Sequence, residues 1–127
     1  MVFFFSVLSS SLIFFNAEAK KVSNEVCHAL SNKLNQRGAM VIDEITTLTN
    51  TVCIRGQFIY SYEISEDITP RDFENILKSE MKPEVITSFC TDPSTRPFLD
   101  AVHSVTLRYR RSDGDYLGEF SFDNSDC

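Results

Sequence analysis

Val102–Phe122, VHSVTLRYRRSDGDYLGEFSF, is the stretch whose reading decides the fold. Asp113-Gly114 is a two-residue turn signal that tolerates positive φ, and apolar residues alternate on both sides of it. Folding the chain about that turn sets Arg110 opposite Leu117, Tyr109 opposite Gly118, Arg108 opposite Glu119, Leu107 opposite Phe120 and Val105 opposite Phe122. Successive side chains of a strand point to opposite faces. One face of this hairpin therefore collects Val105, Leu107, Tyr109, Phe120 and Phe122, and the other Thr106, Arg108, Arg110, Glu119 and Ser121. The separation is clean, and Arg108 meets Glu119 as an opposite-charge cross-strand pair. An antiparallel ribbon with one buried face follows.

Upstream, Thr69-Pro70-Arg71-Asp72 has the chemistry of a helix start: a Thr cap, Pro in the first turn, and an acid at the positive end of the dipole. Phe73, Ile76, Leu77 and Met81 form the expected buried stripe. Lys82-Pro83 breaks or kinks the helix, and a second piece turns Val85, Ile86, Phe89 and Cys90 inward. Thr91-Asp92-Pro93 then caps a further turn carrying Arg96, Phe98 and Leu99.

Further upstream, Met40–Leu48 and Thr51–Ile64 are rich in β-branched and aromatic residues and predict a second hairpin turning at Thr49-Asn50. That turn sets Val41 opposite Phe58, Glu44 opposite Arg55 and Ile45 opposite Ile54. Val52, Ile54, Phe58, Tyr60, Tyr62 and Ile64 share the apolar face, and Gly56 lies in that row as a bulge or close approach. The other face holds Glu44, Arg55, Gln57 and Glu63 but also Met40, Ile42, Leu48, Ile59 and Cys53. Lys20–Asn35 predicts a first helix, with Val22, Val26, Leu30 and Leu34 at four-residue spacing and Gly38 as its terminating residue. The expected fold is α+β, a four-stranded antiparallel sheet of two hairpins with helices on its apolar face, in the order α-β-β-α-α-β-β.

The first residues set the compartment. Val2–Phe15 is apolar apart from serines, and Asn16-Ala17-Glu18-Ala19 supplies small residues at the last and third-last positions. This is the pattern of a cleaved signal peptide over residues 1–19, followed by one domain over 20–127. The run is short of the roughly 20 apolar residues that span a bilayer. Behind such a segment, four cysteines predict two disulfides in an oxidising compartment, periplasmic or extracellular. Their spacings of 26, 37 and 37 residues lack the close pairs of a zinc site. Of three connectivities, Cys27–Cys53 with Cys90–Cys127 joins segments expected to be neighbours. It also creates a conflict: Cys53 falls on the face away from the core, so the first helix must cover part of that face, or the turn is off by one residue, or the cysteines pair otherwise.

The chain lacks the constellations of common enzymes. His28 and His103 are the only histidines, and Ser104 beside His103 points to the opposite face of its strand. Paired cysteines leave no thiol nucleophile. Asp113-Gly114-Asp115 opens like a calcium loop but lacks the remaining ligand spacing. Four scattered glycines make no phosphate loop, so no cofactor is expected. A net charge of −6 argues against nucleic acid as the main partner. What remains is surface. Arg108, Arg110 and Arg111 cluster in an acidic chain, and Met40, Ile42, Ile59 and Leu117 give the second face an apolar character. Those apolar residues with Arg108 and Arg110 form a candidate partner surface.

Phe89-Cys90-Thr91-Asp92-Pro93-Ser94-Thr95-Arg96-Pro97-Phe98-Leu99-Asp100, followed by Tyr109, Asp113-Gly114, Leu117-Gly118-Glu119-Phe120 and the final Cys127, resembles a group of small exported Gram-negative proteins. Some of that group carry the label quorum-sensing-regulated virulence factor. The resemblance covers the C-terminal third well and Asp43–Tyr62 loosely. It implies an α+β domain with an antiparallel sheet and a Cys90–Cys127 bridge, and it supplies no catalytic residues. The first helix with Cys27 and Cys53 departs from its pattern. The expected function is non-enzymatic: an exported accessory or protein-binding domain of the bacterial envelope or secretome, linked to secretion or virulence. The alternative is a periplasmic inhibitor or immunity-type protein that blocks an enzyme or toxin.

Overall fold

The computed structural model describes residues 24–127. The signal-peptide expectation, and the start of the first helix at Lys20, lie outside the described residues. The chain runs α1 (Asn24–Asn35), β1 (Met40–Val41), β2 (Thr46–Ile54), β3 (Gln57–Ile64), α2 (Pro70–Ile76), a π-helical turn (Leu77–Met81), α3 (Lys82–Thr91), α4 (Arg96–Ala101), β4 (Ser104–Arg111), β5 (Tyr116–Phe122) and a 3₁₀ turn (Asn124–Asp126). The α+β class, the two disulfides and the helices on one sheet face match expectation. The sheet does not: it has five strands in the order β1-β2-β3-β4-β5, not four, and it is mixed. β3 and β4 lie parallel, with Gln57 beside Ser104 and Ile64 beside Arg111. The helices carry the chain from the end of β3 back to its beginning, where the His103 N–H donates to the Gly56 carbonyl at 3.0 Å. Parallel neighbours require such a crossover.

The first hairpin turns at Arg55-Gly56 instead of Thr49-Asn50, since Ile54 pairs with Gln57. Arg55 (φ 52°) and Gly56 (φ 82°) both adopt the left-handed region that a two-residue hairpin turn needs. Arg55 meets that demand at a steric cost that Gly56 avoids. The displaced turn reverses the parity of β2. Val52 and Ile54 are exposed on the outer face, whereas Thr51 and Cys53 are buried beside Tyr60 and Phe58. Cys53 therefore faces the helices, and the conflict over its bridge disappears. An irregularity between Leu48 and Asn50 restores Leu48 and Thr46 to the inner face. The bridges are Cys27–Cys53 and Cys90–Cys127.

α1 packs on β2. Leu30 is buried there, and the Ser31 and Thr51 hydroxyls share a hydrogen bond of 2.7 Å. Asn35 acts as a surrogate strand: its Nδ2 donates to the Thr51 carbonyl (2.8 Å) and its Oδ1 accepts from the Thr51 N–H (2.7 Å). Both backbone groups of Thr51 are thus satisfied where β1 has ended.

The last hairpin keeps its expected register from Val105–Phe122 through Tyr109–Gly118. Its turn differs. The Gly114 N–H returns to the Arg111 carbonyl and the Arg111 N–H to the Asp115 carbonyl, so three residues, Ser112 to Gly114, make the loop. Arg110 then pairs with Tyr116, not Leu117. Leu117 becomes the unpaired bulge residue, with its side chain in the core. The bulge absorbs the one-residue difference between the two turn types.

Thr69 caps α2 by accepting from the Asp72 N–H at 3.2 Å. Pro83 does not break the helix: Ile76, Leu77, Met81 and Lys82 all keep helical angles. The wide turn before the proline instead lets the Lys82 N–H reach the Leu77 carbonyl five residues back. Phe73 and Leu77 are buried, but Ile76, expected in that stripe, is 37% exposed. Phe58, Tyr60, Tyr62, Val105, Leu107 and Tyr109 from the two central strands are buried against Phe73, Phe89, Phe98 and Leu99 from the helices.

Two stability measurements follow. Replacing Cys27 and Cys53 together by alanine is expected to lower unfolding free energy by about 3 kcal/mol in urea titrations. A built Cβ on Gly56 falls 2.0 Å from the His103 ring. Gly56→Ala is therefore expected to cost about 2 kcal/mol, shrinking to about 1 kcal/mol in a His103→Ala background, where only the backbone part remains.

Candidate functional site

Helical spacing places Arg71, Glu74, Lys78 and Lys82 along one flank of the α2 run. Across from them lies β5. Between the two runs a groove of about 560 Å³, lined by Pro70, Leu77 and these four side chains on the helix side. Tyr116, Leu117, Gly118, Glu119 and Phe120 form its other wall. Leu77, Leu117 and Phe120 are buried and give it an apolar floor. Gly118 permits the close approach of the walls: a Cβ there would stand 3.3 Å from Leu77 Cδ2, and its φ of 153° is one L residues rarely adopt.

The charges on the rim divide into paired and unpaired. Lys78 bonds Glu74 at 2.8 Å, holding the Glu74 carboxyl below its usual range through that hydrogen bond. Glu119 accepts from Arg108 Nε at 2.8 Å and from the Tyr116 hydroxyl at 2.9 Å. The Arg108 hydrogen bond, foremost, lowers the Glu119 carboxyl against the opposing effect of partial burial. Arg110 rests its guanidinium 5.6 Å from the centre of the Tyr116 ring. Among the described residues, no salt bridge involves Arg71 or Lys82. The groove thus offers an apolar floor with two unpaired cations on its helical wall.

The residues proposed from sequence as a partner surface are not brought together. Met40 and Ile42 pack half-buried against the core near the β1 edge, at the opposite end of the sheet from β5. Ile59 lies buried on the central strand β3 at 5% exposure. Leu117 lines the groove, and Arg108 and Arg110 stand on the outer sheet face beside its Tyr116–Glu119 rim. Arg111 is occupied elsewhere: it pairs with Asp113 and Asp115 and donates to the Ile68 carbonyl at 2.9 Å, fastening the hairpin loop to the segment before α2. Sequence reasoning missed Arg71, Lys78 and Lys82. Their spacing marks one helical flank, but only the strand order reveals that this flank overlooks a sheet edge. Among the described residues no cluster of His, Cys, Asp and Glu is placed to hold a metal, and no helix is long and apolar enough to cross a membrane.

This arrangement of one mixed sheet with helices on one face recurs in solved structures. A Pseudomonas aeruginosa protein inferred to be secreted superposes with a TM-score of 0.60 at 13% identity, covering 82% of this chain and 95% of that one. AspS, a type II secretion system pilotin of Vibrio cholerae, gives 0.59 at 13% identity, covering 82% and 91%. EpsS, a type 2 secretion system pilotin of Vibrio vulnificus, gives 0.57 at 11% identity, covering 82% and 90%. At these identities the likeness establishes a shared fold. No family model and no curated protein matches the chain.

The Arg108–Glu119 pair yields a signed expectation. Glu119 titrates lower in the folded chain than unfolded, so the pair contributes stability above the unfolded carboxyl pKa, and this is lost as pH falls through the folded value. With both side chains about one-third exposed, the contribution is modest. Arg108→Ala is expected to move the Glu119 midpoint, followed by carboxyl-carbon NMR, upward toward that of a free glutamate. An unmoved midpoint would contradict the assignment.

Proposed function

We propose that this chain is an exported, non-enzymatic, protein-binding accessory of a bacterial secretion system, docking its partner in the groove between α2 and β5. The observation that carries this reading is the fold shared with two secretion-system pilotins over nine-tenths of their length. The groove supports it chemically, because an apolar floor with unpaired cations suits a protein segment bearing apolar and acidic side chains. The two disulfides fit an oxidising compartment such as the periplasm. Any connection with virulence rests on the resemblance of the C-terminal third.

The test is genetic. Deleting the gene in its native host is expected to strand type 2 secretion substrates in the periplasm, and the intact gene to restore their release. Arg71→Glu with Lys82→Glu reverses two exposed charges and is expected to change stability by no more than about 0.5 kcal/mol. It should nevertheless restore release poorly. Undiminished secretion in the deletion strain overturns the proposal.

A further inference from the structure

β5 is the last strand of the sheet, and among the described residues it pairs only with β4. Every second residue of such an edge turns its N–H and C=O away from the sheet, with no partner strand to receive them. The opposite margin is protected: β1 covers one end of β2, and the Asn35 side chain occupies both backbone groups of Thr51 beyond it. Among the described residues, no comparable side chain caps β5 from Tyr116 to Phe120.

The groove lies along that open edge. Tyr116 and Glu119 face the outer side of the sheet, where they meet Arg110 and Arg108, while Gly118 and Phe120 face the helices beside Tyr109 and Leu107. All four nevertheless line one groove. Residues that point to opposite faces of a sheet can share a groove only where it runs along the strand's edge. One wall therefore presents backbone donors and acceptors, and the other presents Leu77 with Arg71 and Lys82. A helix laid there would bring no backbone groups to the strand edge, because its own are spent internally. An extended chain brings both.

We propose that the groove takes an extended segment of a partner protein, which joins the sheet as a sixth strand along β5. Every second side chain of that segment points to the helix side, and the apolar ones among these cover Leu77 and Phe120. Carboxylates at its helix-side positions meet Arg71 and Lys82. This assignment rests on the groove being the partner site, and it specifies how the partner is held: main-chain hydrogen bonds supply affinity, and the alternation supplies selectivity.

The experiment selects short random peptides displayed on phage against the full exported chain, then remakes an enriched peptide with N-methyl groups on one or the other alternate set of amides. The expected winner carries its apolar residues and its Asp or Glu at every second position, all of one parity. Methylating the edge-facing set should weaken binding about tenfold or more, the loss expected for an unmade buried backbone bond, while methylating the other set is tolerated. Bound peptide should also slow hydrogen exchange at alternate amides between Tyr116 and Phe120. Enriched peptides with apolar residues at helical spacing, peptides indifferent to which set is methylated, peptides that protect amides elsewhere, or no enrichment at all would each overturn it. The two readings fail separately. A secretion defect with helical binders removes the strand mode alone, and strand-like binders with normal secretion remove the secretion role alone.

Discussion

The parallel contact between β3 and β4 is the constraint from which the rest of the architecture follows. Two hairpins could meet in either sense. Once Gln57 lies beside Ser104 and Ile64 beside Arg111, the chain between them must return the full length of the sheet. The segment from Pro70 to Ala101 makes that return as helices, and its apolar side meets the central strands over Phe58 and Tyr109. The return also decides which strand is left at the margin. β4 is paired on both sides, so β5 is at the edge, and α2 packs against it. The groove results from the same connection that fills the core.

The two margins of the sheet are treated differently. At one, α1 is tied to β2 through Cys27–Cys53, the Ser31–Thr51 contact and the paired bonds of Asn35. A free strand edge there would invite association with other chains, and a side-chain amide removes that opportunity. At the other, the bulge at Leu117 and the overhang of α2 narrow access without supplying hydrogen-bond partners. Cys90–Cys127 fastens the end of the chain to α3, while Arg111 holds the β4–β5 loop to the Ile68 carbonyl. Fixed elements thus surround the open edge, an arrangement suited to recognition by main-chain contact.

Much of the fold was legible from residue alternation. In Val102–Phe122 the buried and exposed sets separate so sharply that the register survives a wrong turn type, because the bulge at Leu117 compensates the longer loop. In the first hairpin the same reasoning failed. Thr49-Asn50 has turn composition, whereas Arg55-Gly56 places a bulky residue at positive φ, which local preference disfavours. The cysteines held the corrective signal: a Cys27–Cys53 bridge puts Cys53 on the helix side, incompatible with a turn at residues 49–50. The sense of the β3–β4 pairing was not legible, since a long helical connection returns a strand in either direction. The site was correspondingly obscure. The places of Leu117, Arg108 and Arg110 could be read from their own hairpin, but Arg71 and Lys82 acquire meaning only when β5 becomes the edge beside α2.

Cross-strand NMR contacts between β3 and β4 test this account most directly. Parallel pairing predicts close approach of Ile59 to Thr106 and of Glu63 to Arg110, with Phe58 near Val105 at the other end. Contacts running in the opposite sense, with Tyr62 near Val105 and Phe58 near Tyr109, would contradict the topology and with it the groove.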